Sequence, residues 1–422
     1  MATGRIGNKP RILVAGAGVA GLEFVLALAE LAPDRADIEV VAPEKAFRYR
    51  PFAVAEAFGV GPHFALELAQ VASDVGARCR RGRVAAVDPA RRVVFTTAGQ
   101  PLAYDLLVVA SGARLEQALP GALTFRGEQD EAAFRELLGQ LEQGGLTDVA
   151  FVIPPGATWP LPLYELALMS AARLEQHGRA GRRLSLVTPE ASALGQFGAP
   201  ASEAVAELLA AAGIQLHCRR YADSVVDGWL RIVPHGYLPA ERVVALPRLR
   251  GPRLSGLPSD ADGFVPTDVH GRVLGIADVY AAGDVTAFPV KQGGIAVQQA
   301  EAVAEAVAAR LGATVKPRPF RPVLRGLLLT GAAPRFLWTD LTGGRGETST
   351  VGAYPLWWPP GKIAGGRLAR YLREAGLPVP PPPAGPATIP VEIELPPGSG
   401  PREPENDSVS GAPPRPFATR RG

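Results

Sequence analysis

"RILVAGAGVAGLEFVLALAELAP" (residues 11–33) decides how the rest of the chain is read. Residues 11–15 are a short apolar run. From Val19 the apolar positions recur at helical spacing until Pro33 stops them. Between the two lies Gly16-Ala17-Gly18-Val19-Ala20-Gly21. The G-x-G-x-x-G spacing is weak alone, but placed after a strand and opening a helix it is a strong signature of a dinucleotide site. Gly16 permits the tight turn, Gly18 lets backbone approach a pyrophosphate, and Gly21 lets the helix pack closely on the strand. The first amides of the helix, around Val19 and Ala20, and its dipole then hold phosphate charge. "DIEVVAPE" (37–44) reads as the next strand and completes a βαβ opening. An acid about twenty residues after the loop is expected on the adenosine ribose. Asp37 and Glu39 precede or lie within that strand, so Glu44, just past it, is the candidate.

The composition limits what such a chain does. Its 422 residues are too many for one ordinary core and predict two or three domains. With 47% hydrophobic and 20% charged residues it reads as a soluble globular protein. A net charge of +3 gives a nucleic-acid role no electrostatic support, and "RCRRGR" (78–83) reads as a solvated strand end. Cys79 and Cys218 stand far apart with no C-x-x-C, so neither a metal cluster nor a redox dithiol is indicated, and both are expected as small buried hydrophobes. No secretory signal precedes the first strand, and no apolar run reaches the ~18 residues that span a bilayer, so the expectation is a cytoplasmic protein.

"RRVVFTTAGQPLAYDLLVVASGA" (91–113) predicts a hairpin and a buried strand ending at Ser111-Gly112. The strand–helix alternation then restarts. "DVAFVIP", "LPLYELALMSAARLEQHG", "RRLSLVTPE" and "ASEAVAELLAAAGIQLHC" predict a second parallel α/β domain. "DVYAAGDVTAFPVKQGGIAVQQAEAVAEAVAARLG" closes the series with strand, loop and long helix.

The ordered set of GAGVAG, "YDLLVVASGA" (104–113) and "VYAAGDVTAFPVKQGGIAVQQA" (279–300) resembles the FAD-dependent pyridine nucleotide-disulfide oxidoreductase superfamily, flavoproteins with two dinucleotide-binding domains. The resemblance covers roughly residues 10–375. It implies an α/β fold of two Rossmann-like domains, with an FAD domain in two pieces (10–113 and 249–312) around an inserted, degenerate NAD-like domain (114–248). A small C-terminal interface domain (313–375) and a disordered Pro-rich tail (376–422) follow. FAD is the implied cofactor and no metal is. Ser111-Gly112 would make its second contact and Gly283-Asp284 its last, with the Asp284 carboxylate on the ribityl hydroxyls. The helix beginning near Gly294, with Gln292 and Ile295 around its start, would aim its N-terminus at the flavin ring, where its partial positive charge stabilises reduced flavin. Lys291 either adds its charge there or is an ordinary loop lysine.

Superfamily members that use NADH carry a second G-x-G-x-x-G in the inserted domain, but "IPPGATWPLP" (153–162) has a single glycine among four prolines. Proline has no N–H and a fixed φ, so this turn cannot present the usual cradle of amides. The stretch resembles the branch of sulfide:quinone reductases, flavocytochrome c sulfide dehydrogenases and type II NADH dehydrogenases. In the sulfide enzymes a "CP" dipeptide precedes a "PYE"-like helix start. Here the pair is Trp159-Pro160, followed by Leu163-Tyr164-Glu165, so polysulfide chemistry lacks its nucleophile. Trp159 reads as an aromatic wall of a substrate pocket or as interdomain packing. Glu165 reads as a first-turn helix acid or as a catalytic base.

In "AYPLWWPPGKIAGGRLARYLREAG" (353–376), Ala364, Leu368, Tyr371 and Leu372 can share one face of a helix, and Lys362, Arg367, Arg370 and Arg373 another. Two arrangements follow: a peripheral helix on the inner face of a membrane, or one docked on the flavin domain or on a homodimer partner. From Gly376 the chain holds roughly a third of its 42 prolines and reads as extended or disordered. The leading functional expectation is a flavoenzyme passing electrons from a small-molecule donor to a quinone or electron-carrier acceptor. A single-subunit NAD(P)H dehydrogenase with atypical nicotinamide binding and a non-catalytic flavin-binding scaffold are the alternatives.

Overall fold

The apolar runs pair as strands and the helically spaced stretches cover them. A computed structural model of the chain describes residues 9–378 except 180, 235, 342–348 and 358–359. Trp358 and nearly all of the Pro-rich tail thus lie outside the described residues. The chain first forms β1 (Arg11–Ala15), α1 (Val19–Leu31), β2 (Asp37–Ala42), β3 (Arg78–Arg81) and β4 (Leu106–Val109). Next come β5 (Asp148–Val152), α2 (Leu161–Gln176), β6 (Arg183–Val187), α3 (Ala199–Ala211), β7 (Ile214–His217) and β8 (Arg242–Ala245). After β9 (Val279–Ala281) and α4 (Gly293–Arg310), three strands, β10 (Val323–Leu328), β11 (Arg335–Asp340) and β12 (Ser349–Gly352), precede α5 (Gly366–Glu374).

Two parallel five-stranded sheets organise these elements. The first has the order β9-β4-β1-β2-β3, with Ile12 opposite both Ile38 and Leu106. The second runs from the short strand Leu123–Thr124 through β8, β5, β6 and β7. Because β9 returns to the edge of the first sheet beside β4, the second sheet is an insertion within the chain of the first. This is an α/β fold of two Rossmann-like domains, the first discontinuous. In each sheet the strand order reverses once, between β1 and β4 and between β5 and β8, and such switch points open crevices at the carboxyl ends of the strands. An antiparallel sheet, β10-β11-β12, packs its inner residues with α2 and the second domain.

Helix α1 is buried from Ala20 through Leu28 because it lies between the first sheet, α4 and α5. That environment includes Glu23, which has no water contact. Its carboxylate accepts the backbone amides of Arg367 (2.9 Å) and Leu368 (2.7 Å), two of the donors that a helix N-terminus leaves unpaired. A residue of α1 therefore caps α5. Burial raises Glu23 to about 7, against the lowering pull of those two amides.

The C-terminal segment differs from the expected two-faced helix. Gly365 and Gly366 both have left-handed φ (+76° and +75°), so the helix starts only at Gly366 and leaves Lys362 and Ala364 in the preceding turn. Leu368 and Leu372 are buried in the core of the first domain, Arg367 pairs with Glu30 and Glu301, and Arg370 pairs with Glu30. The apolar face lies inside the protein. Cys79 and Cys218 are half-buried, not fully buried as expected, because each sits at the edge of its sheet. Among the described residues no helix is long and apolar enough to cross a membrane.

Replacing Glu23 by Ala strands two amides and is expected to lower stability by about 1–3 kcal/mol, read by urea unfolding. The protonated form favours the fold, since the folded value of about 7 exceeds the ordinary 4.5. This increment is fully present below 4.5 and is lost as pH rises through about 7, a slope that Glu23→Gln is expected to flatten.

Candidate functional site

The ends of β1, β4, β9 and β5 open on one cleft of about 1250 Å³. Its first wall is the glycine loop. Gly16 has φ +118°, donates its N–H to Val41 O (2.9 Å), and has the Ala110 carbonyl where a Cβ would stand. A Cβ on Gly21 would collide in turn with Gly16 O, so α1 lies against its own turn only because both residues lack a side chain. Gly18 is the N-cap of α1. No side chain caps the helix there, and the space where a Cβ would point is open. Gly16, Gly18, Val19 and Ala20 border the cleft, and Gly21 lies behind it.

Ser111 and Gly112 follow β4 and border the same wall, with Glu44 exposed at the rim past the end of β2. Gly283 (φ +80°) follows β9, and a Cβ there would stand 2.8 Å from that of Ala20. Asp284 borders the cleft beside it. Burial raises its pKa, opposed by Lys291 and Arg50. Lys291 is only 6% exposed, donates to Thr286 O and lies 3.9 Å from the ring centre of Phe264. Burial lowers it to about 8, with Asp284 and Asp260 holding it up.

The start of α4 departs from expectation. Gln292 borders the cleft, but its side chain folds back: Oε1 accepts the Ile295 amide (3.0 Å) and Nε2 donates to Arg325 O (3.1 Å). Gly294 and Ile295 are buried and do not border the cleft, so the amide that a ligand would meet is already capped.

The facing wall is the proline turn. Ala157 donates to Pro154 O (3.1 Å), and α2 opens on Pro160 with Pro162 in its first turn, two positions without N–H. Thr158 Oγ1 is buried there with no hydrogen-bond partner. Trp159 borders the cleft and packs on Phe197 of its own domain, ring centres 5.9 Å apart. Past β6, where a dinucleotide-binding domain offers a ribose-binding acid, Glu190 instead accepts Tyr164 OH (2.8 Å) and Thr188 Oγ1 (2.9 Å).

Glu165 lies past the first turn of α2, so it is not the first-turn acid expected. It is 1% exposed, accepts the Leu329 amide (2.8 Å), and pairs with the largely enclosed Lys362, both at the cleft. Burial raises the acid and lowers the base, each opposed by its partner. Glu165 stands within "LYELAL", where a charge on a buried face signals a partner. Nothing local pointed to Lys362, Phe264 or Glu190. Ten Lys and Arg side chains line the cleft against three acids, Glu44, Glu165 and Asp284. In a nearly neutral chain this is a concentrated anion-attracting field.

No family profile matches the chain. Two NADH dehydrogenase-like proteins of Mycobacterium tuberculosis are 28% and 27% identical to it over 295 and 291 residues, 66% of this chain and 73% of each relative. Among solved structures, the sulfide:quinone oxidoreductase of Aquifex aeolicus superposes with a TM-score of 0.72 at 20% identity, covering 82% of this chain and 87% of that one. The fold is thus the one found in solved oxidoreductases with two Rossmann-like domains. The ferredoxin reductase of Rhodopseudomonas palustris (TM-score 0.63, 20% identity, 79% and 83% covered) shares it. So does NDH2 of Plasmodium falciparum in complex with NADH (0.63, 12%, 82% and 92%). Neither Cys79 nor Cys218 borders the cleft.

Lys362→Met leaves Glu165 buried without its counter-charge and is expected to cost about 3–5 kcal/mol in chemical denaturation. Glu165→Gln combined with Lys362→Met is expected to cost much less.

Proposed function

We propose that the chain is an FAD-dependent oxidoreductase that passes electrons from a small-molecule donor to a quinone or electron-carrier acceptor without a standard NAD(P)H seat. The observation that carries this reading is the asymmetry of the cleft. One wall keeps an uncapped helix N-terminus behind an open Gly18, and the other presents Ala157, Trp159 and Pro162, with Glu190 engaged by Tyr164 behind it. The residues on the first wall fit a dinucleotide: a glycine cradle, a rim acid, and a cation-rich lining.

On this reading Gly16, Gly18, Val19, Ala20 and Gly21 hold the pyrophosphate, Glu44 the adenosine ribose, Ser111-Gly112 the adjoining backbone contact, and Asp284 the ribityl hydroxyls. Gln292, Gly294 and Ile295 act as scaffold for the first turn of α4. When bound, the flavin supplies the electron transfer. Lys291 favours negative charge beside the ring, because its ammonium is desolvated and held by Thr286. Trp159 walls the donor side. Glu165 and Lys362 exchange a proton with a reduced acceptor, their opposed shifts bringing acid and base toward a shared proton.

A second reading, in which NAD(P)H is the donor, is favoured by the names of the mycobacterial relatives. Anaerobic titration separates the two: NADH and NADPH are expected to leave the flavin oxidised, and a small-molecule reductant other than a nicotinamide to bleach it. Rapid bleaching by NADH would establish the second reading. Heat-released cofactor identified by chromatography tests FAD itself. Lys291→Met is expected to keep its flavin and slow reduction about 10²-fold. Wild-type rates are expected to fall as pH rises through about 8, where the ammonium is lost, with a flat profile in the variant.

A further inference from the structure

Away from the cleft, three side chains that no step above uses converge. Glu56 lies in the short helix Ala53–Ala57, His63 in the loop that follows, and Glu131 at the start of the helix Glu131–Gln143. One ligand atom from each lies within 4.8 Å of the others. The loop is held against the first helix. Val60 N donates to Ala55 O (3.0 Å), and Gly61 sits so close that a Cβ would stand 2.8 Å from Glu56 N. Tyr49 N fixes the far end through Phe64 O (2.9 Å).

The carboxylate of Glu56 points to a ligand. Its side chain is 8% exposed, accepts no hydrogen bond among the described residues, and has His63 Nδ1 at 3.7 Å as its ion-pairing atom. A carboxylate this enclosed and without hydrogen-bond donors is favoured by a cation beside it. Glu131 gives Oε1 to Arg135, whose guanidinium also donates to Glu56 O (2.8 Å) and Ala57 O (3.3 Å). One guanidinium against two carboxylates leaves a negative charge in the cluster, and Arg135 orients Glu131 as an outer partner orients a metal ligand.

We infer that Glu56, His63 and Glu131 bind a divalent cation of the zinc class. One imidazole nitrogen and two carboxylate oxygens suit such an ion, with water as fourth ligand. Ligand distances of about 2.0–2.2 Å require the three atoms to close to about 3.4 Å. His63 is 62% exposed, so it can make that movement and leaves the ion a way in from solvent. The ion ties the 53–63 segment, whose Ala53 and Val54 border the cleft, to the helix that leads into the second domain.

The test is titration of Zn²⁺ into chelator-treated, untagged, full-length protein with its bound cofactor, followed by calorimetry and thermal unfolding. One saturable site per chain is expected, raising Tm by a few degrees at saturation. His63→Ala and Glu56→Gln are each expected to weaken binding at least tenfold, and X-ray absorption to show a sulfur-free shell. Absence of stoichiometric binding overturns the inference. So does wild-type affinity in His63→Ala, or sulfur in the shell. If Glu56→Gln does not fold, the exposed His63 position decides alone.

Discussion

A backbone contact with no room for a side chain sets the architecture of the first domain. Gly16 lies against the Ala110 carbonyl and Gly21 against Gly16 O. The two approaches bring β1, β4 and the first turn of α1 closer than any Cβ would allow. With α1 seated this way, Gly283 reaches Ala20 from β9, and three loops far apart in sequence meet at one end of the sheet. The open face at Gly18 follows from the same geometry. The helix must begin there, and its own N-cap has no side chain to close it.

α1 also carries the C-terminal part of the chain. Glu23 caps α5, and Gly366 approaches it so closely that a Cβ would stand 2.6 Å from its carboxylate. From that anchor the chain runs back through Ile363, whose amide donates to Tyr49 OH (3.2 Å), to Lys362 and its pairing with Glu165 on α2. The two domains are thus linked by polar groups that are each costly to bury alone. Buried pairs of this kind add little net stability but penalise every arrangement that separates them. The C-terminal segment consequently has one position available to it.

The strand and helix pattern and the glycine loop were legible because each is a local property: period two or 3.6, and a spacing of glycines between elements. The parts that were not legible depend on long-range pairing. Lys362 reads as one more cation beside Arg367, Arg370 and Arg373, and only the two left-handed glycines turn it away from them into Glu165. Gly294 and Ile295 stood in the right loop, yet a glutamine side chain that could have faced solvent instead caps the turn. Glu23 stands two residues past the glycines, but its partners lie far away at Arg367 and Leu368. Glu56, His63 and Glu131 are separated by seven and sixty-eight positions, and no ligand spacing rule links them.

The proline turn follows from which contacts hold the second domain. Phe151, Leu163, Leu166 and Phe197 share a core with Leu324, Leu328 and Leu337 of the antiparallel sheet. The β5–α2 frame is therefore stabilised by apolar burial, to which the turn adds Ile153, Ala157 and Trp159. On the proposed reading the turn cradles no diphosphate, so it needs neither exposed amides nor glycine's flexibility. Proline then restricts the unfolded chain and fixes the loop without a ligand. The same logic fits Glu190, whose carboxylate is engaged by Tyr164 on the neighbouring helix. On this reading the wall is organised by its own contacts, with Trp159 between Phe197 and the cleft.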